Sequence, residues 1–265
     1  MDKQKLIGSL AQTPEDELLL ARVLDRLSAG ERKNIPASTC FLTGREQELC
    51  KLLVKRAMIQ EVYFFGGTPG AERQVACYVP EYFSADEYFT SEDGPICALR
   101  AEISAFDSLD HRDFLGGILG QGIKREVLGD IFVSGDHCDF LVTKEIAPYL
   151  LEHLTQVGRA KITLKEIPLS VIDVPQQKTK TIRDTVASLR LDGIMSSGFQ
   201  IGRGKAQDLI SGGKTEVNHM PVLKSDRLIA QGDVISCRGL GKLVVTEIQG
   251  QTKKGRTVVV LDRFL

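Results

Sequence analysis

The sequence predicts an α+β protein in three parts: a helical N-terminal region, a central β-α-β-β-α-β unit, and a basic C-terminal module. Three observations carry this. Leucines recur at helical spacing behind a capped start near the N-terminus. Strand-forming and helix-forming runs alternate in that split order between residues 96 and 167, after a hairpin over 61–80. Residues 189–235 read as two short helices, a basic turn, a strand, and a second strand entered through a Gly-Asp turn.

Thr13-Pro14-Glu15-Asp16 supplies an N-cap, a proline at the first helical position and acid in the first turn. Leu20, Leu24 and Leu27 give the apolar stripe, and Gly30 is the expected stop. Pro36 lacks an amide donor, so Asn34-Ile35-Pro36-Ala37 is extended or turning. A second helix is expected from Thr43, burying Leu49, Leu52 and Leu53. These helices carry no obvious chemistry and suit packing or a protein partner.

Val62-Tyr63-Phe64-Phe65, the loop Gly66-Gly67-Thr68-Pro69-Gly70 and a return from Gln74 to Val79 predict a hairpin. A strand over 96–103, a helix over 112–121, strands over 131–134 and 138–143, a helix over 145–156 and a strand over 159–167 follow. This is the order of ferredoxin-like and RNA-recognition-motif folds, which also host metal carriers and small-molecule sensors. Pro168, Pro175 and Gln176-Gln177-Lys178-Thr179-Lys180 predict an exposed linker. The expected domains are therefore 1–60, 61–172 and 181–265.

A net charge of −1 conceals an asymmetry: residues 181–265 hold 13 Lys and Arg against 8 Asp and Glu, and residues 1–180 hold 21 against 27. A basic module on an acidic body points to a polyanion localised to that module. No apolar run approaches the ~20 residues of a membrane span, and the polar N-terminus does not read as a signal peptide. Six scattered cysteines without a Cys-x-x-Cys pair argue against a zinc site and for reduced thiols in the cytoplasm. No cofactor or metal is expected.

Gly202-Arg203-Gly204-Lys205-Ala206 opens a helix whose Ala206, Leu209 and Ile210 face inward, while Arg203 and Gln207 lie on another face. Backbone amides at a helix start beside two cations suit a phosphate, and the Gly212-Gly213-Lys214 turn adds a further cation. Lys253, Lys254 and Arg256 lie on an expected hairpin tip between strands 243–248 and 257–261. Cations on a tip cannot build a core but fit phosphates. Arg112, Lys124 and Arg125 bracket the glycine-rich stretch 116–122, whose spacing matches neither a P-loop nor a dinucleotide fingerprint. There is no Gly-x-Ser-x-Gly elbow and no His-Glu-x-x-His, so catalysis is not expected. His111 reads as a cap or surface residue, and Asp192 as the cap of its helix.

The 185–240 pattern, ending in Val217-Asn218 and Gly232-Asp233-Val234-Ile235, resembles the S-four RNA-binding domain, named after ribosomal small-subunit protein four. The resemblance extends along the chain. Asn34-x-Pro36-Ala37-x-Thr39-x-Phe41-Leu42, His111-Arg112-Asp113-Phe114-Leu115-Gly116, Gly129-Asp130-Ile131, Thr185-Val186-x-Ser188-x-Arg190-Leu191-Asp192 and Gly250-x-Thr252-Lys253-Lys254-Gly255-Arg256 are similar to the YlmH family. The resemblance implies a bacterial, cytoplasmic RNA-binding protein with a central RNA-recognition-like domain and a C-terminal S-four domain. It further implies structured rRNA and tRNA as partners, on a large ribosomal subunit carrying peptidyl-tRNA, in rescue of stalled translation. The RNA-binding set it implies is Arg190, Arg203, Lys205, Gln207, Lys214, Asn218, Lys253, Lys254 and Arg256, with Arg112, Lys124 and Arg125 in the central domain. Two departures stand out. The helix start usually reads Ser-Arg-Ser and is here Gly202-Arg203-Gly204, and the central domain lacks the aromatic RNP1 pattern, Phe140 alone being no stacking platform.

Two other classes of function fit. One is a protein-interaction adaptor in cell division or in photosystem or membrane assembly, docking through its N-terminal helices. The other is an RNA-modifying enzyme using Asp192 or His111.

Overall fold

The computed structural model describes residues 3–104, 107–175 and 178–265, so Gln176 and Gln177 of the expected linker lie outside the described residues. The chain forms two compact units, Met1–Pro175 and Gln176–Leu265.

The first unit begins with α1 (Lys3–Gly8), α2 (Pro14–Lys33), β1 (Ala37–Ser38) and α3 (Gly44–Ala57). Thr13 and Thr43 each close a capping box, with Asp16 and Glu46 as the reciprocal carboxylates. α2 does not stop at Gly30. It runs to Lys33 and is closed by Asn34 in the left-handed region, φ 53°. Gly30 serves packing instead, since a Cβ there would lie 2.5 Å from that of Ala37. Leu49 and Leu53 are buried as expected, but Leu52 faces solvent and Cys50 takes its place in the core.

β2 (Val62–Phe65) and β3 (Val75–Tyr78) form the predicted hairpin, and β1 adds to it in the order β1-β3-β2. The hairpin thus joins the N-terminal helices across residue 60, sharing their core through Ala76 and Tyr78. After α4 (Ala85–Thr90) come β4 (Ile96–Glu102), α5 (His111–Leu119), β5 (Leu128–Val133), β6 (His137–Thr143), α6 (Ala147–His153), the small pair β7 (Gln156–Val157) and β8 (Ala160–Lys161), and β9 (Thr163–Ile167). Asp110, not His111, caps α5, accepting from the amides of Arg112 and Asp113. The expected strand 159–167 is broken, with β8 turning back on β7 before β9 joins the main sheet.

That sheet is antiparallel in the order β5-β6-β4-β9. One face packs on α5 and α6 around Leu99, Phe114, Ile118, Phe140 and Leu150. The other is also covered: Phe41 and Val75 arrive from the N-terminal part, and Leu169 and Ile172 from the segment after β9, onto Ile96, Ala98 and Leu141. The stretch after Pro168 therefore packs rather than floats. A 3₁₀ turn at Leu169–Val171 is tied down by Arg100 Nη2, which donates to the Val171 carbonyl at 3.1 Å.

The second unit comprises β10 (Thr179–Val186), α7 (Leu191–Phe199), α8 (Arg203–Ser211), β11 (Thr215–Val217), β12 (Met220–Pro221), β13 (Val234–Cys237), β14 (Gly241–Gln251) and β15 (Thr257–Phe264). Its antiparallel sheet runs β10-β15-β14-β13-β11-β12. Thr179 and Lys180, expected in the linker, open β10. Ile194, Met195, Ala206 and Ile210 press α7 and α8 onto Leu243, Val245 and Leu261.

Candidate nucleic-acid interface

The second unit organises its cations around one carboxylate. Arg190 is the N-cap of α7, Asp192 lies in the first turn of that helix, Arg203 opens α8, and Gln207 follows one turn later on the same face. Asp192 is fully buried. Arg203 donates to both its oxygens through Nε and Nη2 at 3.1 Å each, and Arg190 does the same at 3.3 and 3.2 Å. Gln207 Nε2 adds a bond of 2.9 Å. Burial alone would raise this carboxyl, but the hydrogen bonds from Arg203, Gln207 and Arg190 outweigh it and hold it at about 2. Asp192 is thus not the expected cap. It orients two guanidiniums that remain partly exposed, the Arg203 side chain at 52% and the Arg190 side chain at 36%. Two arginines against one carboxylate leave the cluster cationic.

Lys205 is exposed in the first turn of α8, two residues after Arg203, and Lys214 is exposed just after the turn that ends α8. Lys253 and Lys254 stand on the tip between β14 and β15, as the sequence predicts. Arg256 folds back, its Nε donating to Thr185 Oγ1 at 3.0 Å and its Nη2 to the Thr185 carbonyl. Asn218 is engaged within the fold: its Nδ2 donates to Asp233 at 2.8 Å, and its Oδ1 accepts from the Val234 amide at 2.9 Å. It locks the Gly-Asp turn into β13 and leaves little of its amide for a ligand.

In the first unit, Arg112 and Lys124 are exposed. Arg125 is turned inward, with Nη1 donating to the carbonyls of Leu128 and Gly129. Burial lowers its affinity for a proton, and its position marks a brace of the fold rather than a contact surface. Nor does the sheet offer a stacking platform: Phe140 is buried on the helix side, and the opposite face is covered by Phe41 and Val75.

Two cations escaped the sequence reading. Lys224 and Arg227 are exposed on the segment beside the hub, which is strapped to the start of α7 by the Leu191 amide on the Arg227 carbonyl (2.8 Å) and the Asp192 amide on the Ser225 carbonyl (3.1 Å). No local motif marks them, because their place comes from pairing of Arg190 with Leu228 across 38 residues of chain.

A family model described as "Putative RNA-binding domain in YlmH" matches residues 101–171. The "Ribosome-associated protein quality control protein P2" of Bacillus subtilis strain 168 is 35% identical over 226 residues, covering 85% of this chain and 86% of that protein. The chain belongs to the YlmH family. A solved structure, "Cell division protein ylmH from Streptococcus pneumoniae", is 23% identical, covers 62% of this chain and 98% of its own, and superposes with a TM-score of 0.48. Within the YlmH frame, Arg112 and Lys124 fall inside the family-matched stretch, whereas the Asp192 hub lies outside it. No helix among the described residues is long and apolar enough to cross a membrane.

Proposed function

We propose that this YlmH-family chain is a cytoplasmic RNA-binding protein of ribosome-associated quality control, without catalysis of its own. Its ligand is structured rRNA or tRNA, on a large ribosomal subunit that carries peptidyl-tRNA. The observation that carries this reading is the hydrogen-bonded cationic cluster of Arg190, Arg203 and Gln207 on buried Asp192, with Lys205 exposed on the same helix α8 and Lys214 exposed just after its end. Preoriented guanidiniums match phosphate oxygens in fork geometry at little ordering cost. The helix pair and strand order of the second unit support an S-four domain, and the order β5-β6-β4-β9 supports a ferredoxin-like central domain. With its sheet covered on both faces, that domain meets RNA by edge and charge, through Arg112 and Lys124, rather than by base stacking.

The test is affinity for ribosomal RNA across a salt series, with sucrose-gradient sedimentation of the protein from lysate with and without ribonuclease. Reversing Arg203 and Lys205 to Glu is expected to weaken binding and to flatten the slope of log affinity against log salt by about 2, near 0.9 per lost phosphate contact on duplex. Unchanged affinity in that variant, or sedimentation at the top of the gradient under every condition, would sink the reading.

A further inference from the structure

The first unit carries a surface of opposite character that RNA binding does not explain. Residues 74–99 contain Glu81, Asp86, Glu87, Glu92 and Asp93 and no Lys or Arg. The same segment concentrates aromatic side chains in an unbroken run. Tyr63 meets Phe89 edge-on at 6.5 Å, Phe89 meets Tyr88 at 5.8 Å, Tyr88 meets Phe83 at 6.0 Å, and Phe83 meets Tyr82 at 4.9 Å. Tyr88 and Phe89 are buried as its footing, while Tyr82 is 59% and Phe83 45% exposed. At the Tyr82 end the run opens into a cleft of about 520 Å³, walled by Tyr78, Tyr82 and Met58 and rimmed by Glu31, Glu61 and Glu81.

Every feature of that cleft favours a cation. Among the described residues, Glu31 and Glu81 make no ion pair, and the Glu61 carboxylate makes none either, accepting the Tyr63 hydroxyl at 2.6 Å. Two helices end there: Asn34 closes α2 and Met58 closes α3, both in the left-handed region. The carbonyl ends of helices carry partial negative charge. The basic residues of those last turns (Arg32, Lys33, Lys55 and Arg56) do not line the cleft, and Arg56 is turned away to Ser9 Oγ at 2.7 Å. Tyrosine faces attract ammonium and guanidinium groups, and exposed Met58, 78% accessible, offers an adaptable apolar floor. A polyanion is repelled from this surface, so its occupant differs from that of the second unit.

We propose that this acidic aromatic face docks a lysine- and arginine-rich segment of a partner protein. One cationic side chain enters the Glu31–Glu61–Glu81 cleft with its stem against Tyr78 and Tyr82, and the chain continues along Phe83. The proposal does not depend on RNA binding and stands or falls separately from it.

The experiment uses the full chain and a fluorescein-labelled peptide of five Lys-Arg repeats, read by anisotropy at ~150 mM salt, where long-range attraction is screened. Glu31→Gln with Glu81→Gln is expected to weaken binding about tenfold, and the charge-neutral Tyr82→Ala several-fold. Glu15→Gln with Glu17→Gln removes equal charge from the far end of α2, ~20–24 Å from Glu31 at ~1.5 Å per residue, beyond the screening length, and is expected to leave affinity within about twofold. No binding by the unaltered chain, equal loss in the Glu15 and Glu17 variant, or no loss with Tyr82→Ala overturns the proposal. So does sedimentation equilibrium showing self-association that the Glu31 and Glu81 variant abolishes, which would assign the face to a second copy.

Discussion

Replacing Asp192 by asparagine keeps the shape of the hub and removes the charge that holds it. The carboxyl lies at about 2 against an ordinary 3.8. That difference corresponds to about 2 kcal/mol, at ~1.4 kcal/mol for each tenfold change in proton affinity. It is an upper figure, since the Arg203 and Arg190 side chains are 52% and 36% exposed and water screens the pair. For a unit of this size about 2 kcal/mol lowers the melting temperature by up to about 10 °C. The sign with pH follows from the direction of the shift. A carboxyl held below its unfolded value stabilises above that value and loses its contribution as pH falls through the folded one. The gap in stability between the unaltered chain and Asp192→Asn is therefore full at pH 7, begins to close below about 4, and vanishes near 2. Asp16, also held at about 2 by Arg45, is present in both proteins and cancels in the difference. Urea midpoints of the second unit, followed by circular dichroism from pH 7 to 2.5, test this. A gap that is absent at pH 7, or that stays constant down to pH 2.5, would refute the assignment of Asp192 as an ionised hub.

Other variants separate bracing from binding. Arg125→Ala removes bonds to the Leu128 and Gly129 carbonyls and is expected to lower the melting temperature of the first unit while leaving RNA affinity unchanged. Lys205→Ala, on an exposed side chain, should do the reverse, weakening RNA binding at constant stability. Gly129→Ala would place a Cβ 2.7 Å from Phe41 Cε1 and 3.0 Å from Leu141 Cβ; overpacking of this kind costs about 1–3 kcal/mol, read as a lower urea midpoint at unchanged slope. Thr13→Ala removes the side-chain acceptor of the Asp16 amide. It should cost about 1 kcal/mol and speed hydrogen exchange in the first turn of α2.

Much of the fold was legible because its signals are local. Thr13 with Asp16, Thr43 with Glu46, and the alternation across 62–79 each act within a few residues, and the structure places capped helices and a hairpin there. Boundaries slipped where the deciding contact is distant. Gly30 reads as a helix stop, but its neighbour Ala37 lies across a turn, and the helix ends instead where Asn34 tolerates a left-handed backbone. The second cover of the central sheet was invisible for the same reason: Phe41, Val75 and Leu169 meet only after the chain has folded. At the candidate interface the residue types were readable as cations. Which are free and which are engaged was not. Arg125 and Arg256 look like Lys205 or Lys214 in the sequence, and only their hydrogen bonds to backbone and side-chain partners separate them; Asn218 likewise reads as a free amide until its bonds to Asp233 and Val234 are seen.

The double cover of the central sheet also sets where this protein can be cut. The family-matched stretch begins at residue 101, inside β4, the strand lying between β6 and β9. A fragment from there to 171 loses most of that strand together with Phe41 and Val75, and strips Leu141 of most of its cover. Starting instead at residue 61 restores β4 and Val75 but still omits Phe41, and leaves β3 without β1 and the helices it packs on. Either truncation presents bare apolar sheet and unpaired strand edge to solvent, the condition under which chains aggregate. The shortest piece carrying the family-matched stretch that is expected to remain in solution as a folded body is the whole of the first unit, so dissecting this protein means one cut, near residue 175.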